Sequence, residues 1–155
     1  MSVRIGCLQV KTSPDDVEGN LATLRAMMKA AACQGVELLI APEMFVTGYN
    51  TERRPESYPQ SLWLDAVRDI CRKQGVALIA GGPEVVHGHD GRAEVFNSAF
   101  LIDSTGDVLS VYRKTHLFGD EEKALFSPGE AGGNVVGFRG ISIGILICYD
   151  VEFPE

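Results

Sequence analysis

The sequence predicts a layered α/β domain, and three observations carry that prediction. A helical pattern runs directly into an apolar strand twice, through the near-matching junctions Gln34-Gly35-Val36 and Gln74-Gly75-Val76. The strand after the first junction is mostly apolar without alternation, the pattern of a sheet covered on both faces. The second half then changes texture, to strand pairs joined by short polar turns. Because the helix-to-strand period does not continue, the two units belong to one layered domain and not to a solenoid.

Each element follows from local signals. Residues 3–10 alternate well enough for a strand, with Val3, Ile5 and Cys7 on one face. Ser13-Pro14-Asp15-Asp16 is a turn and helix start whose acids suit the positive end of the helix dipole. Leu21, Leu24, Met27, Met28 and Ala31 recur at helical spacing, and Gly35 is placed to end that helix in a left-handed conformation. Residues 36–41 form the next strand. Trp63, Val67, Ile70 and Cys71 mark the second helix, Gly75 its end, and 76–80 its strand. A short strand is expected at 83–87, a longer one at 94–103 and a returning strand at 108–112, the last two joined by the turn Ser104-Thr105-Gly106-Asp107. Residues 113–133 are charged and aperiodic, and a loop of that length is usually functional or disordered. Residues 135–138 and 141–148 are the last strands, and 151–155 reads as a helix start.

Bulk properties remove several classes of function. The 155 residues suit a single domain. Fourteen basic residues against twenty-one acidic give a net charge of −7, with no basic run, so nucleic acid and anionic membrane surfaces are poor partners. No apolar run approaches the roughly 20 residues of a membrane span. Four cysteines at 7, 33, 71 and 148 form no C-x-x-C pair, and no signal-peptide pattern opens the chain. Reduced thiols in a cytoplasmic protein fit best.

Three chemically apt residues share one topological position. Glu43 follows the strand 36–41, Lys114 follows 108–112, and Cys148 ends 141–147. In open α/β sheets, reacting groups collect at the carboxyl ends of strands. A thiol needs a base to become the attacking thiolate, and an ammonium beside the attacked carbonyl stabilises the oxyanion. Each residue also has an ordinary reading. Cys148 can be a buried thiol closing a core strand. Glu43 and Lys114 can be solvated loop residues, and Glu121-Glu122 a solvated charge run. His87-Gly88-His89-Asp90 invites a metal reading, but it lacks further ligands at suitable spacing, so no metal and no cofactor is expected.

The blocks around these residues resemble a family. Leu39 to Tyr49 (LIAPEMFVTGY), Tyr112 to Phe118 (YRKTHLF) and Gly144 to Glu155 (GILICYDVEFPE) are similar to the three signatures of the nitrilase superfamily of carbon–nitrogen hydrolases, in that family's order. The resemblance implies a four-layer α-β-β-α sandwich and one carbon–nitrogen hydrolase domain over 1–155. Family members are usually much longer, so the chain is expected to be the N-terminal part of a longer enzyme, ending just past the nucleophile. The resemblance also implies Cys148 as nucleophile, Glu43 as general base and Lys114 as the oxyanion-stabilising cation. Glu122 stands where many members carry a second active-site glutamate, with Glu121 the adjacent alternative. The Tyr149 N–H would complete an oxyanion hole, and Tyr49 would line the pocket. Tyr149-Asp150 after the cysteine resembles amidase-type members, where true nitrilases usually have Trp-Glu. Glu152 stands where some members acting on acidic amides carry arginine, so it argues for a neutral or amine-bearing amide.

The implied activity is hydrolysis of a small-molecule carboxamide through a cysteine thioester, by a homo-oligomer. An N-carbamoyl hydrolase, a nitrilase, an acyltransferase, a catalytically silent binding or regulatory fragment, and a thiol redox protein remain alternatives. The last normally has a resolving cysteine nearby, which Cys148 lacks.

Overall fold

Helix formation in the first half follows the sequence signals closely. The computed structural model describes residues 2–49, 57–58, 60–88, 91–133 and 135–154. After strand β1 (Ile5–Cys7), the Asp16 carboxylate caps helix α1 (Val17–Cys33) by accepting the Gly19 N–H at 2.9 Å. Gly35, at φ +68°, turns the chain into β2 (Leu38–Ile40). Helix α2 (Gln60–Gln74) ends the same way at Gly75, φ +65°, and leads into β3 (Ala77–His87). Strands β4 (Ala93–Ile102) and β5 (Val108–Arg113) follow. Their turn is built by the Asp103 carboxylate, which accepts the N–H groups of Thr105 and Asp107.

These strands form one sheet in sequence order, β1-β2-β3-β4-β5. The β1–β2 and β2–β3 pairs are parallel, as two helix crossovers require, and β3–β4 and β4–β5 are antiparallel. Side chains alternate across the sheet. Leu39, Leu78 and Phe100 point to the helix side, where they pack with Leu24 and Met28 of α1 and Val67 of α2. Leu38, Ile79 and Leu101 point to the opposite side, against Phe138, Ile145 and Ile147. That second face is covered by a two-stranded hairpin, β6 (Val135–Phe138) and β7 (Ile141–Gly144). Three layers, α-β-β, are therefore present among the described residues.

Several expectations need correction. The separate strands 76–80 and 83–87 are one strand. Pro83 is tolerated because β2 pairs only with residues 77–79 of β3, so at Pro83 that edge needs no donor. The segment 113–133 contains a short helix, α3 (Gly119–Leu125). Strand β7 stops at Gly144, since its partner β6 begins at Val135, opposite Gly144. The helix expected at 151–155 is instead a 3-10 helix over Cys148–Glu152. Its early start follows from Asp150, whose carboxylate accepts the Ile147 N–H at 3.0 Å. Met27 lies at the rim of its helix, 38% exposed, while Leu24, Met28 and Ala31 are buried. His89, Asp90 and Glu155 lie outside the described residues. Among the described residues no group of three metal-ligating side chains could hold an ion, and no helix is long and apolar enough to cross a membrane.

Candidate active site

Glu43 sits in a buried loop whose backbone is held on every side. The loop leaves β2 while the Ala41 N–H still bonds to Ile79 O at 2.9 Å, and the Val46 N–H bonds to Gly81 O at 3.2 Å. Asn20 of α1 donates to Val46 O at 3.1 Å and to Ser13 O at 2.9 Å. This satisfies polar groups that a buried loop would otherwise strand. The approach to β3 is close. A Cβ on Gly81 would lie 2.6 Å from Met44 N and 2.9 Å from Pro42 O, so only glycine fits there. Met44, next to Glu43, is buried and left-handed at φ +51°.

Lys114 leaves β5 with its N–H on Asn97 O at 2.8 Å and its carbonyl accepting the Gly129 N–H at 2.8 Å. The lysine side chain is 1% exposed and reaches two carboxylates, Glu43 Oε1 at 2.8 Å and Glu122 Oε1 at 3.0 Å. Glu122 comes from α3 and is fully buried, whereas Glu121 is exposed, so the structure brings Glu122 and not Glu121 into the cluster. Its Oε1 also accepts the Tyr49 hydroxyl at 2.7 Å, and its Oε2 accepts the Phe118 N–H at 2.6 Å. A charge run read as solvated thus contains a buried carboxylate with its lone pairs occupied.

The fields in the cluster reinforce one another. Burial alone would lower the pKa of Lys114, but hydrogen bonds and charge from Glu43 and Glu122 raise it above the usual lysine range. Burial would raise that of Glu122, yet the Phe118 N–H, the Tyr49 hydroxyl and Lys114 hold it below the usual carboxylate range. Burial and the hydrogen bond to Glu122 push the Tyr49 hydroxyl well above the usual phenol range, so it stays a donor.

Cys148 opens the 3-10 helix in a left-handed conformation, φ +47°, and is exposed. That rules out a buried thiol at position 148; Cys71 is the buried one, its pKa pushed up by burial to about 12. Left-handed backbone at a non-glycine residue costs of order 1–3 kcal/mol and collects at functional sites. Burial and the neighbouring charge of Glu43 raise the thiol pKa of Cys148, against the opposing pull of Lys114. At neutral pH the group is therefore a thiol beside a carboxylate. The first bond of the 3-10 helix runs from Asp150 N–H to Ile147 O, so the N–H groups of Cys148 and Tyr149 have no partner within the helix. A cleft of about 230 Å³ opens beside Cys148 and Glu43, walled by Ile40, Ile79, Ala99 and Ile145.

Glu43, Lys114, Glu122 and Tyr49 are thus brought together, with Cys148 against Glu43. The Tyr149 ring packs edge-on against Phe118 and Phe153, on the outer side of the turn. Glu152 is exposed at the end of the 3-10 helix and takes no part in the cluster's hydrogen bonds.

Two residues escaped the sequence reading. Asp150 accepts from Tyr112 Oη and His116 N–H, each at 2.8 Å, and from Ile147, which ties the cysteine turn to the lysine loop. Asn97 donates to Glu43 Oε1 at 2.7 Å. Its signal was visible: a lone amide inside the apolar run Val95-Phe96-Asn97-Ser98-Ala99-Phe100.

A sheet covered on both faces thus presents a carboxylate–lysine–carboxylate cluster beside a left-handed cysteine on an α/β scaffold. The carbon–nitrogen hydrolase family model matches residues 4–155, and the chain belongs to that family. It is 36% identical over 165 residues to a hydrolase of Pseudomonas protegens encoded in the 5′ region of pqqF, covering 99% of this chain and 53% of that protein. It is 34% identical to an (R)-stereoselective amidase of a Pseudomonas species, covering 99% and 54%. The solved NitN amidase from Nesterenkonia sp. AN1 superposes with a TM-score of 0.87 at 34% identity, covering 99% of this chain and 60% of that one. A glutamate-to-glutamine variant of that amidase shows the result of Michael addition of acrylamide at its active-site cysteine. The chain spans a little over half the length of the relatives it matches.

Proposed function

We propose that the protein hydrolyses small-molecule carboxamides to carboxylic acid and ammonia, with residues 1–155 forming part of a single carbon–nitrogen hydrolase domain. The observation that carries this reading is Cys148 lining one cleft with Glu43, whose carboxylate is in turn bound to Lys114. Because the thiol pKa is raised, the group needs a base at the moment of attack, and Glu43 is in contact to serve. Glu43 takes the thiol proton, and the sulfur attacks the carboxamide carbon while the C=O electron pair moves to oxygen. Lys114 and the Tyr149 N–H stabilise that oxyanion. On collapse the C–N bond breaks and protonated Glu43 gives its proton to the leaving ammonia, which leaves a Cys148 thioester. Glu43 then deprotonates water, which attacks the thioester and restores the thiol. Acid–base help of this kind is worth about 10²–10⁴-fold, and one well-aimed oxyanion donor about 3–4 kcal/mol.

Glu122 has a different task. Its oxygens are occupied by Lys114, Tyr49 and the Phe118 N–H, so it holds the lysine charged and in place rather than moving protons. Tyr49, 43% exposed, lines the approach to the site. Glu152 disfavours acidic substrates, which supports a neutral or amine-bearing amide. Relatives named N-carbamoylputrescine amidase, such as that of Solanum lycopersicum at 29% identity, favour an N-carbamoyl amine as the second reading. A homo-oligomer is the proposed assembly, supported by the exposed Phe118, Leu146 and Val151.

Ammonia release should be measured over aliphatic amides, N-carbamoyl amines and ω-amides of keto acids, for the parent and for Cys148→Ala. Turnover of the first or second group, abolished in a folded Cys148→Ala protein, is expected. Residual activity above about a hundredth of the parent's, a smaller loss than removal of acid–base help alone would give, would remove Cys148 as nucleophile. Preference for keto-acid ω-amides would contradict the role of Glu152.

A further inference from the structure

Asn97 sits at the middle of β4, 1% exposed, and touches every charged member of the cluster. Its backbone carbonyl accepts the Lys114 N–H at 2.8 Å. Its side-chain Nδ2 lies 2.7 Å from Glu43 Oε1 and 3.4 Å from Glu122 Oε1. Its Oδ1 is buried and has no hydrogen-bond partner among the described residues. Turning the amide over would set Oδ1 against two carboxylate oxygens, so the orientation is forced. A buried acceptor left unpaired costs about 1–3 kcal/mol. The fold tolerates that cost in order to keep a neutral donor on the carboxylates.

The consequence lies in how the two oxygens of Glu43 differ. Oε1 accepts from both Asn97 and Lys114, at 2.7 and 2.8 Å. Two strong donors in place make Oε1 a poor proton acceptor and leave Oε2 as the basic oxygen. They also pin the carboxylate plane, so Oε2 cannot exchange places with Oε1. We propose that Asn97 is the positioning residue of the base, committing Glu43 Oε1 so that Oε2 takes the Cys148 proton. The proposal rests on the reading of Glu43 as base. Asn97 never touches substrate; it acts through Glu43.

A double-mutant cycle tests this in the full-length protein, with Asn97→Leu, Asn97→Ala and Glu43→Gln. Leucine keeps the branched outline, with a somewhat larger volume, and removes the donor, whereas alanine removes both. The readouts are kcat and KM for a small aliphatic amide, and the rate of Cys148 alkylation by iodoacetamide. Alkylation is followed by mass on the peptide carrying Cys148, because Cys7 and Cys33 are also exposed. Leu and Ala variants should lose kcat alike, by about 100-fold or more, with KM little changed. Alkylation at neutral pH should slow at least tenfold. In the Glu43→Gln background, Asn97→Leu should slow alkylation no further, since effects that act through one group do not add. A Leu variant with parental kcat and alkylation, or one that slows alkylation equally with and without Glu43, would overturn the proposal and leave Asn97 a packing residue. Full turnover by Glu43→Gln would instead remove the base itself, and with it the reading on which this inference stands. Should Asn97→Ala fail to fold, the Leu arm alone decides.

Discussion

Asp150 shows how much one buried carboxylate can organise. Burial alone would raise its pKa, but the N–H groups of His116 and Ile147 and the Tyr112 hydroxyl hold it below the usual carboxylate range. A carboxylate depressed in the folded state adds stability that is present above its unfolded value of about 3.9, and that is lost as pH falls through the lower folded value. Thermal melts of the parent and Asp150→Asn should therefore differ by a constant gap between pH 7 and 5. The gap should narrow as pH falls below about 4. A gap that closed above pH 6 would contradict the assignment. At this scale the sequence was only half legible. It marked Cys148, Glu43 and Lys114 through the blocks around them, but gave Asp150 no structural part, because its partners come from 34 and 38 positions away.

Among the elements, the contact between β3 and the loop after β2 governs where Glu43, the proposed base, stands. Gly81→Ala would drive a Cβ into the backbone of 42–44, which cannot move aside as a flexible side chain can. Overpacking of this kind costs about 1–3 kcal/mol, and here the loop it displaces carries Glu43. Urea unfolding should show that loss, and kcat should fall by more than the stability change alone explains. A Gly81→Ala protein with parental kcat would show that the loop repacks without moving the carboxylate. The helix-to-strand units were readable in advance because helix periodicity and terminal glycines are local signals. The end of β7 was not, because a strand persists only where a neighbour offers hydrogen bonds, and β6 begins opposite Gly144.

The whole molecule places Cys148, Glu43 and Lys114 by layering. Helices α1 and α2 cover one face of the five-stranded sheet, and the β6–β7 hairpin covers the other. The hairpin and the segment after it deliver Cys148 to residues held by the main sheet. Phe138, 5% exposed, and the Arg139–Glu37 ion pair at 2.6 Å anchor it there. The ion pair is partly exposed and adds little, so the apolar contact dominates. Phe138→Ala should cost about 3–5 kcal/mol and raise amide hydrogen exchange across 135–144 before the helices open. Uniform exchange across the chain would mean that the hairpin is not a separate unit.

By itself the sequence determined the two helix–strand units and the β4–β5 turn, because each rests on spacing and turn chemistry within about ten residues, while the family resemblance marked Glu43, Lys114 and Cys148. Only the tertiary structure decided that Glu122 and not Glu121 is buried, and that Asn97 joins the carboxylates. It also showed that Cys148 begins a 3-10 helix rather than ending a strand. Those outcomes depend on which distant groups share a buried volume, where an unpaired charge is costly and a donor in reach is kept.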